Sequence, residues 1–414
     1  MFESSDKRDG RRGGVLRALV FVAILVATAA GAFYVGRSQS PATLGERDRE
    51  SLDLYAEALD VVRDDYVDQG AIDPEKLTYG AIEGMLDTLG DEGHTRFLTP
   101  EEREQNQAGL SGTYVGIGVQ LEAKEDDVVV AAPIEGSPAE KAGVESGDVV
   151  VGVDGESVRD EDISGIVSKV KGPEGTTVQL TVSRDGDERV FELRREEIDS
   201  PVVAWARVSG TDVAHVRLSS FSEDAAEELR MAFEEAREAG AERFILDLRD
   251  NPGGRLDQAV EVADFFLEPG SVAYVRKDAS GDREEVEVEG EPGLTDAPLV
   301  VLVNGGSASS AEIVAGALRD NDRATVVGRT TFGTGTVLSE FELDDGSAIL
   351  LGVAEWLTPD GDFIRETGIE PDVKVRQDEG DELVSPTDLR EISREEAFER
   401  DAQLREAFEE LPAQ

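Results

Sequence analysis

A polar run of small residues, Gly305-Gly306-Ser307-Ala308-Ser309-Ser310, leads straight into the apolar stretch Ala311-Glu312-Ile313-Val314-Ala315-Gly316-Ala317-Leu318. Ahead of it, residues 298–303 read as a buried strand. A strand–turn–helix of this kind holds a serine hydroxyl at the mouth of a helix. There, unpaired N–H groups and the helix dipole stabilise negative charge. An acyl-transfer nucleophile needs that setting. From the loop alone, any of Ser307, Ser309 and Ser310 could attack.

Few other side chains offer chemistry. The sequence holds two histidines and no cysteine, which excludes a thiolate metal site and argues against a zinc site of histidines. His94 sits in the turn Gly90-Asp91-Glu92-Gly93-His94-Thr95, either bonded to its own loop or free to act as a base. His215 lies inside the apolar strand 213–218 and reads as a satisfied core or edge residue. The acidic groups Asp360-Gly361-Asp362 and Asp250-Asn251 lack the spacing of a twelve-residue calcium loop and read as turns. Gly333-Thr334-Gly335-Thr336 lacks the lysine of a phosphate loop. No metal and no organic cofactor is expected.

The elements that must position these residues follow from periodicity. Helices are predicted over 46–63, over 74–89 with Gly90 as its stop, and from Pro100 behind a Thr99 cap. From Tyr114 to about Arg195 the texture changes to short strands, 116–121, 128–130, 148–153 and 177–182, with helices at 137–142 and 162–169. Beyond Glu197, buried strands at 213–218, 243–248 and 298–303 alternate with helices at 225–239, 256–266 and 311–319. Such alternation implies crossover connections and an α/β core. A surface helix is predicted over 393–411 in an acidic tail.

Composition bounds the class. With 414 residues, 39% of them hydrophobic, the chain has room for two or three folded domains. A net charge of −50 repels a phosphate backbone and argues against nucleic-acid binding. Lys7, Arg8, Arg11, Arg12 and Arg17 precede an uncharged run over 18–36 that is long enough to span a hydrocarbon core. Their charge puts the N-terminus in the cytoplasm and everything after Arg37 outside. The membrane is therefore one expected partner. The small residues of 27–32 leave a cleaved signal peptide, and a secreted body, as the rival.

The middle unit resembles a PDZ domain. The likeness rests on Tyr114-Val115-Gly116-Ile117-Gly118-Val119, then 136–144, then 147–155, in that order. It implies that the N–H groups of the loop at Gly116, Ile117, Gly118 and Val119 capture a peptide's terminal carboxylate. The peptide then adds to the sheet edge as a strand.

The segments 244–256, 305–318, 326–336 and 368–372 follow it, and together they are similar to the C-terminal processing peptidases, or tail-specific proteases. The likeness covers roughly 52–375. Together with the N-terminal run read above, it divides the chain into an anchor or signal over 1–37, a linker and helical segment over 38–110 and a PDZ domain over 111–196. A crotonase-like α/β serine peptidase core over 197–380, with 46–110 packed on it, and an acidic tail helix over 381–414 complete the α/β (α+β) arrangement. Protein substrates with free C-termini are the implied partners. Residue by residue, it makes Ser309 the nucleophile, and the N–H groups of Ser310 and Gly254 the two halves of an oxyanion hole.

One departure stands out. The family's general base is a lysine 25 positions after the nucleophile, with a glutamine four residues further on; here those positions hold Thr334 and Leu338. A threonine hydroxyl takes no proton from serine at neutral pH. The only later lysine is Lys374, beside the final strand. One reading is a pseudoprotease that keeps the groove and acts as a peptide-binding adaptor. The other is a substituted base. The turn around His94 resembles that of tricorn-like proteases, in which a histidine activates the serine. Glu366 then lies near the position of the carboxylate that would orient it.

Overall fold

The computed structural model describes residues 45–412 apart from 92–93, 125–126, 135, 160, 162, 185, 200, 291–292 and 377–381. The predicted anchor over 18–36 lies outside the described residues. Among those described, no helix is long and apolar enough to cross a membrane.

The chain divides into two units, residues 1–78 and 79–414. The first holds α1 (Glu46–Asp65), a 3-10 turn (Gln69–Ala71) and the start of α2 (Pro74–Asp87). Asp73 caps α2 by accepting the N–H groups of Glu75 and Lys76.

The second unit takes up the rest of α2 and continues with β1 (Arg96–Leu98) and α3 (Pro100–Ser111). Thr99 and Glu102 form a reciprocal capping box, Pro100 follows the cap, and Gly112 ends the helix at φ +74°. Ten elements then build the smaller domain: β2 (Thr113–Gly116), β3 (Val119–Lys124), β4 (Asp127–Pro133), α4 (Pro138–Ala142), β5 (Val149–Val153), β6 (Glu156–Ser157), α5 (Ile163–Val170), β7 (Thr177–Arg184), β8 (Asp187–Arg194) and β9 (Glu196–Asp199). The antiparallel sheet runs β3-β4-β5-β7-β8, so β3 keeps an open edge. Ile117, Val130, Val150, Ile166, Val178 and Leu180 fill its core. A separate pair, β2 with β9, joins the start and end of the domain.

The larger domain continues with β10 (Val203–Arg207), β11 (Val213–Leu218), α6 (Ala225–Glu238), β12 (Arg243–Asp247), α7 (Leu256–Phe266), β13 (Val272–Lys277), β14 (Arg283–Glu287), β15 (Leu299–Val303), α8 (Ser310–Asp320), β16 (Thr325–Gly328), β17 (Thr336–Glu342), β18 (Ala348–Leu357) and β19 (Val373–Lys374). Its main sheet has the order β10-β11-β12-β15-β16-β19 and is parallel except for β10. A second, antiparallel sheet runs β1-β18-β13-β14, with β17 also on β18.

The period of two along the strands sorts the core into two layers. Phe244, Leu246, Val301 and Val303 face α6, α7 and α8 together with Phe233, Phe266 and Val314. Ile245, Val300 and Leu302 face the other way, onto Val384, Leu389, Leu404 and Ala407. The C-terminal segment is therefore a layer of the core, where the sequence suggested a surface helix in an acidic tail. It also breaks into α9 (Arg394–Arg400) and α10 (Ala402–Glu410). The break falls at Asp401, whose carboxylate is taken by a buried arginine and by two main-chain N–H groups.

Candidate active site

Three loops leave the carboxyl ends of adjacent parallel strands and meet. Residues 248–255 follow β12, 304–309 follow β15, and 329–335 follow β16. Ligand sites in parallel α/β sheets form at such ends.

Ser309 is the last residue before α8 and has φ +53°, ψ −118°. For a residue with a Cβ this costs on the order of 1–3 kcal/mol, so its surroundings must impose it. They do so largely through Glu312. This carboxylate has no solvent exposure and accepts four donors. Its Oε2 takes the N–H groups of Ser309 (2.9 Å) and Thr334 (3.0 Å). Its Oε1 takes the Gly333 N–H (2.7 Å) and the Thr331 hydroxyl (2.5 Å). One buried anion thus ties the nucleophile loop to the loop after β16. Thr331 Oγ1 also accepts the Ile369 N–H at 2.7 Å, which extends the tie to 364–369.

The three serines part company here. Ser307 donates to the Leu248 carbonyl (2.7 Å), and Ser310 to the carbonyls of Gly254 and Arg255 (3.2 Å each). The Ser309 hydroxyl donates to no acceptor among the described residues and is partly exposed.

Gly253 lies against this serine, and Gly254, whose carbonyl accepts the Ser310 hydroxyl, lies against Phe221. A Cβ on Gly253, at φ +97°, would come within 2.7 Å of Ser309 Cβ; one on Gly254, at φ +145°, within 2.3 Å of the Phe221 carbonyl oxygen. Only glycine fits either position. The Phe221 N–H donates to the Gly253 carbonyl (2.8 Å), and the Arg255 N–H to the Phe221 carbonyl (2.7 Å). That leaves the N–H of Gly254 unpaired among the described residues, as is the N–H of Ser310 at the first turn of α8. Two free N–H groups beside a strained serine are the parts an oxyanion site needs.

Thr334 is buried, and its Oγ1 accepts the Ser309 N–H at 3.1 Å. Leu338 is 37% exposed on β17. His94 makes no hydrogen bond to Ser309. Its ring stands edge-on to that of Phe332, 5.9 Å between centroids, and Phe332 belongs to the same loop as Thr334. The carboxylate facing His94 Nδ1 is Asp91, 3.6 Å away. Asp91 is fixed in turn by Arg365 (2.9 Å) and by the Thr95 hydroxyl (2.6 Å). Glu366, expected from the sequence to orient His94, has an exposed side chain with no bond to it. Its φ of +63° follows from the main-chain link of its N–H to the Gly333 carbonyl (2.9 Å). A cleft of about 490 Å³, lined by Asp91, Thr95, Thr336, Glu355 and Arg365 among others, adjoins this turn.

In the smaller domain, the carbonyls of Ile117 and Gly118 are occupied by the N–H groups of Ala139 and Ile134 (2.9 Å each), and Ser137 also donates to Gly118 (3.1 Å). The N–H groups of Ile117 and Gly118 have no partner among the described residues. Val119 starts β3, the open edge beside α5. This is the arrangement of a carboxylate-binding loop with a strand-accepting edge.

Comparison with known proteins gives the family. The model of peptidase family S41 matches residues 212–375, and that of the PDZ domain matches 115–194. The carboxy-terminal processing protease CtpA of Bacillus subtilis is 36% identical over 362 residues, covering 86% of this chain and 76% of its own length. The chain belongs to peptidase family S41. It is a serine-type C-terminal processing peptidase with a PDZ domain. A probable CtpA-like serine protease of Staphylococcus aureus (strain COL) is 33% identical over 374 residues, covering 90% of this S41 chain and 74% of its own. Among solved structures, a photosystem II D1 C-terminal processing protease is 31% identical, covers 78% of this chain and 92% of its own, and superposes with a TM-score of 0.46.

Two parts of the site were missed in the sequence. Glu312 carries a visible signal, since it is a carboxylate in an apolar helix, three residues after a cap. Asp91 was hidden by its ordinary setting in an acidic turn.

Proposed function

We propose that this S41 peptidase hydrolyses its substrates through an acyl-enzyme on Ser309, with His94 as general base and the N–H groups of Gly254 and Ser310 stabilising the oxyanion. The observation that carries this reading is Ser309 itself, held at φ +53° with the unpaired N–H of Ser310 next in the chain and that of Gly254 in the turn that Ser310 bonds. The Ser309 oxygen attacks the peptide carbonyl, its proton passes to His94 Nε2, and His94 returns that proton to the leaving amine. Water then repeats the sequence on the ester. Asp91 Oδ1, 3.6 Å from Nδ1 and not hydrogen-bonded to it, is the nearby carboxylate that sets the required tautomer once the site tightens on substrate. In unliganded sites such hydrogen bonds are often long and tighten in the complex. His94 lying on Phe332, with no bond to Ser309, is consistent with that.

The PDZ domain receives the C-terminal tail of a protein substrate on the loop 116–119 and the edge of β3. The run over 18–36, preceded by five basic residues, supports a membrane anchor with the body outside the cytoplasm.

A fluorophosphonate probe and an unstructured protein substrate test the chemistry on the full chain. Labelling and cleavage are expected in the unmodified protein and lost in Ser309→Ala and His94→Ala. Absence of both in the unmodified protein, across pH and salt, overturns the enzyme reading. Thr334 in the lysine position favours the second reading, an inactive PDZ adaptor; retained capture of C-terminal peptides without cleavage would then identify it. Protease protection of the body in sealed vesicles tests the anchor.

A further inference from the structure

Behind the turn that carries Gly254 lies a buried run of charge that acyl transfer does not use. His215 Nε2 stands 2.9 Å from Asp247 Oδ2, and neither side chain has any exposure. Arg249 grips the same carboxylate with Nε (2.9 Å) and Nη2 (2.7 Å). Its Nη1 reaches both oxygens of Asp401 (3.0 and 2.9 Å) and Gln403 Oε1 (3.3 Å). Asp401 also accepts the N–H groups of Val384 (3.0 Å) and Leu404 (2.9 Å), so one carboxylate gathers two parts of the C-terminal segment. Burial opposes the charge on Asp247, but Arg249 and His215 outweigh it and hold the carboxyl below the usual range.

We propose that Arg249 and Asp401 form a positioning lock through which the C-terminal segment, 382–412, keeps the Gly253-Gly254 turn in register with Ser309. This rests on the hydrolytic reading of the site. Arg249 is the last residue before Asp250, whose φ of +56° starts the turn. On its front side the turn touches the nucleophile loop directly. The Leu248 carbonyl accepts the Ser307 hydroxyl (2.7 Å), and the Asn251 carbonyl accepts the Ala308 N–H (2.9 Å). Asn304 spans the same gap, accepting the Asp250 N–H and donating to its carboxylate (2.9 Å each). On its back side two buried side chains anchor it: Asn251 donates to the Leu218 carbonyl (2.8 Å), and Arg249 reaches the C-terminal segment. Without the Asp401 charge the guanidinium keeps Asp247, on the same strand end, and is left with the longer, neutral contact to Gln403 (3.3 Å) as its tie to the C-terminal layer. A backbone displacement of about 1 Å at an oxyanion donor is enough to cost roughly a hundredfold in rate.

The test uses the full chain and Asp401→Asn, which keeps the shape but removes the charge. Four quantities are read below the unfolding transition: kcat, KM, the rate of fluorophosphonate labelling at Ser309, and hydrogen exchange of peptides covering 248–255. The lock predicts that kcat and labelling fall together by roughly tenfold to a hundredfold. KM and C-terminal peptide capture stay unchanged, and exchange over 248–255 quickens. A purely structural role would lower the unfolding temperature and leave kcat per folded molecule intact. Unchanged kcat, labelling and exchange in folded Asp401→Asn overturn the lock. Should that variant fail to fold, Gln403→Leu removes a neutral partner of Arg249, and a smaller loss of the same pattern is expected; no loss overturns the lock. If the unmodified chain neither labels nor cleaves, the hydrolytic reading fails, and exchange over 248–255 alone decides the lock.

Discussion

The hydroxyl of Thr334 accepts the backbone N–H of Ser309 at 3.1 Å. At the position where related peptidases are expected to carry a lysine, the side chain therefore addresses the main chain of the nucleophile. The same N–H is shared with Glu312 Oε2 at 2.9 Å. Thr334→Val preserves volume and leaves Glu312 as the remaining acceptor. It is expected to cost about 1 kcal/mol in denaturant unfolding. Labelling of Ser309 should stay within about tenfold of the unmodified rate. A collapse of labelling in a folded variant would instead make Thr334 part of the chemistry.

Glu312 is a more demanding position. Its two oxygens serve four donors with no water access, so the carboxylate is held by full satisfaction. Glu312→Gln turns an amide NH2 towards two of those donors. Each donor left unpaired costs about 1–3 kcal/mol, visible as a lowered unfolding midpoint. Labelling of Ser309 is expected to drop further than stability does, because Ser309 keeps its φ of +53° only while its N–H and the loop 331–334 share that anion. Equal labelling per folded molecule would show that the strain is imposed from elsewhere.

These two residues show how far the sequence could be read. The strand before Ser309, the helix after it and the Gly253-Gly254 turn were legible because local patterns and turn chemistry dictate them. Glu312 as a shared acceptor was not, since three of its donors come from residues 331–334, brought close only by the pairing of β15 with β16. The resemblance points to Glu366 as the orienting carboxylate, while the carboxylate nearest His94 Nδ1 in the fold is Asp91 of the same short turn, paired with Arg365 from 274 residues further along. The C-terminal segment looked like an acidic surface helix. Its apolar residues Leu404, Ala407 and Leu411 are sparse, and only the open face of the sheet reveals that they are core.

Gly254 gives the sharpest steric test. Its φ of +145° and the 2.3 Å approach of a Cβ to the Phe221 carbonyl oxygen mean that Gly254→Ala must move the turn. Loss of one oxyanion donor lowers kcat by about 10²–10³-fold in related chemistry. The expected outcome is a fall of that order in kcat, with C-terminal peptide capture by the PDZ domain unaffected. Retained kcat would remove Gly254 from the oxyanion site.

Acid should loosen the PDZ domain through Asp148. Its side chain has no exposure, and Arg184 holds it with Nε (2.6 Å) and Nη2 (2.7 Å). Burial raises the carboxyl, but the Arg184 bonds and the Glu145 N–H outweigh it, so the folded group sits below its ordinary value. A depressed folded value means that the stabilisation is complete above the unfolded carboxyl's range, near about pH 4, and is lost as pH falls towards the folded value. Urea midpoints should therefore decline below about pH 4, and less steeply in Asp148→Asn. Parallel declines in the two chains would assign the acid sensitivity to other carboxylates.

Asp91 and Glu366 make opposite claims on His94, and substitution separates them. Asp91 lies 3.6 Å from His94 Nδ1 and is itself braced by Arg365 and Thr95. Glu366 has no bond to the ring, and its backbone follows the Gly333 carbonyl. Asp91→Asn keeps the shape of the turn but removes the charge that favours the protonated imidazole formed during proton transfer. It is expected to lower kcat strongly at neutral pH, with KM little changed. Glu366→Gln is expected to alter neither. The reverse pattern, a loss with Glu366→Gln and none with Asp91→Asn, would mean that the turn rearranges on substrate binding and brings His94 to Glu366.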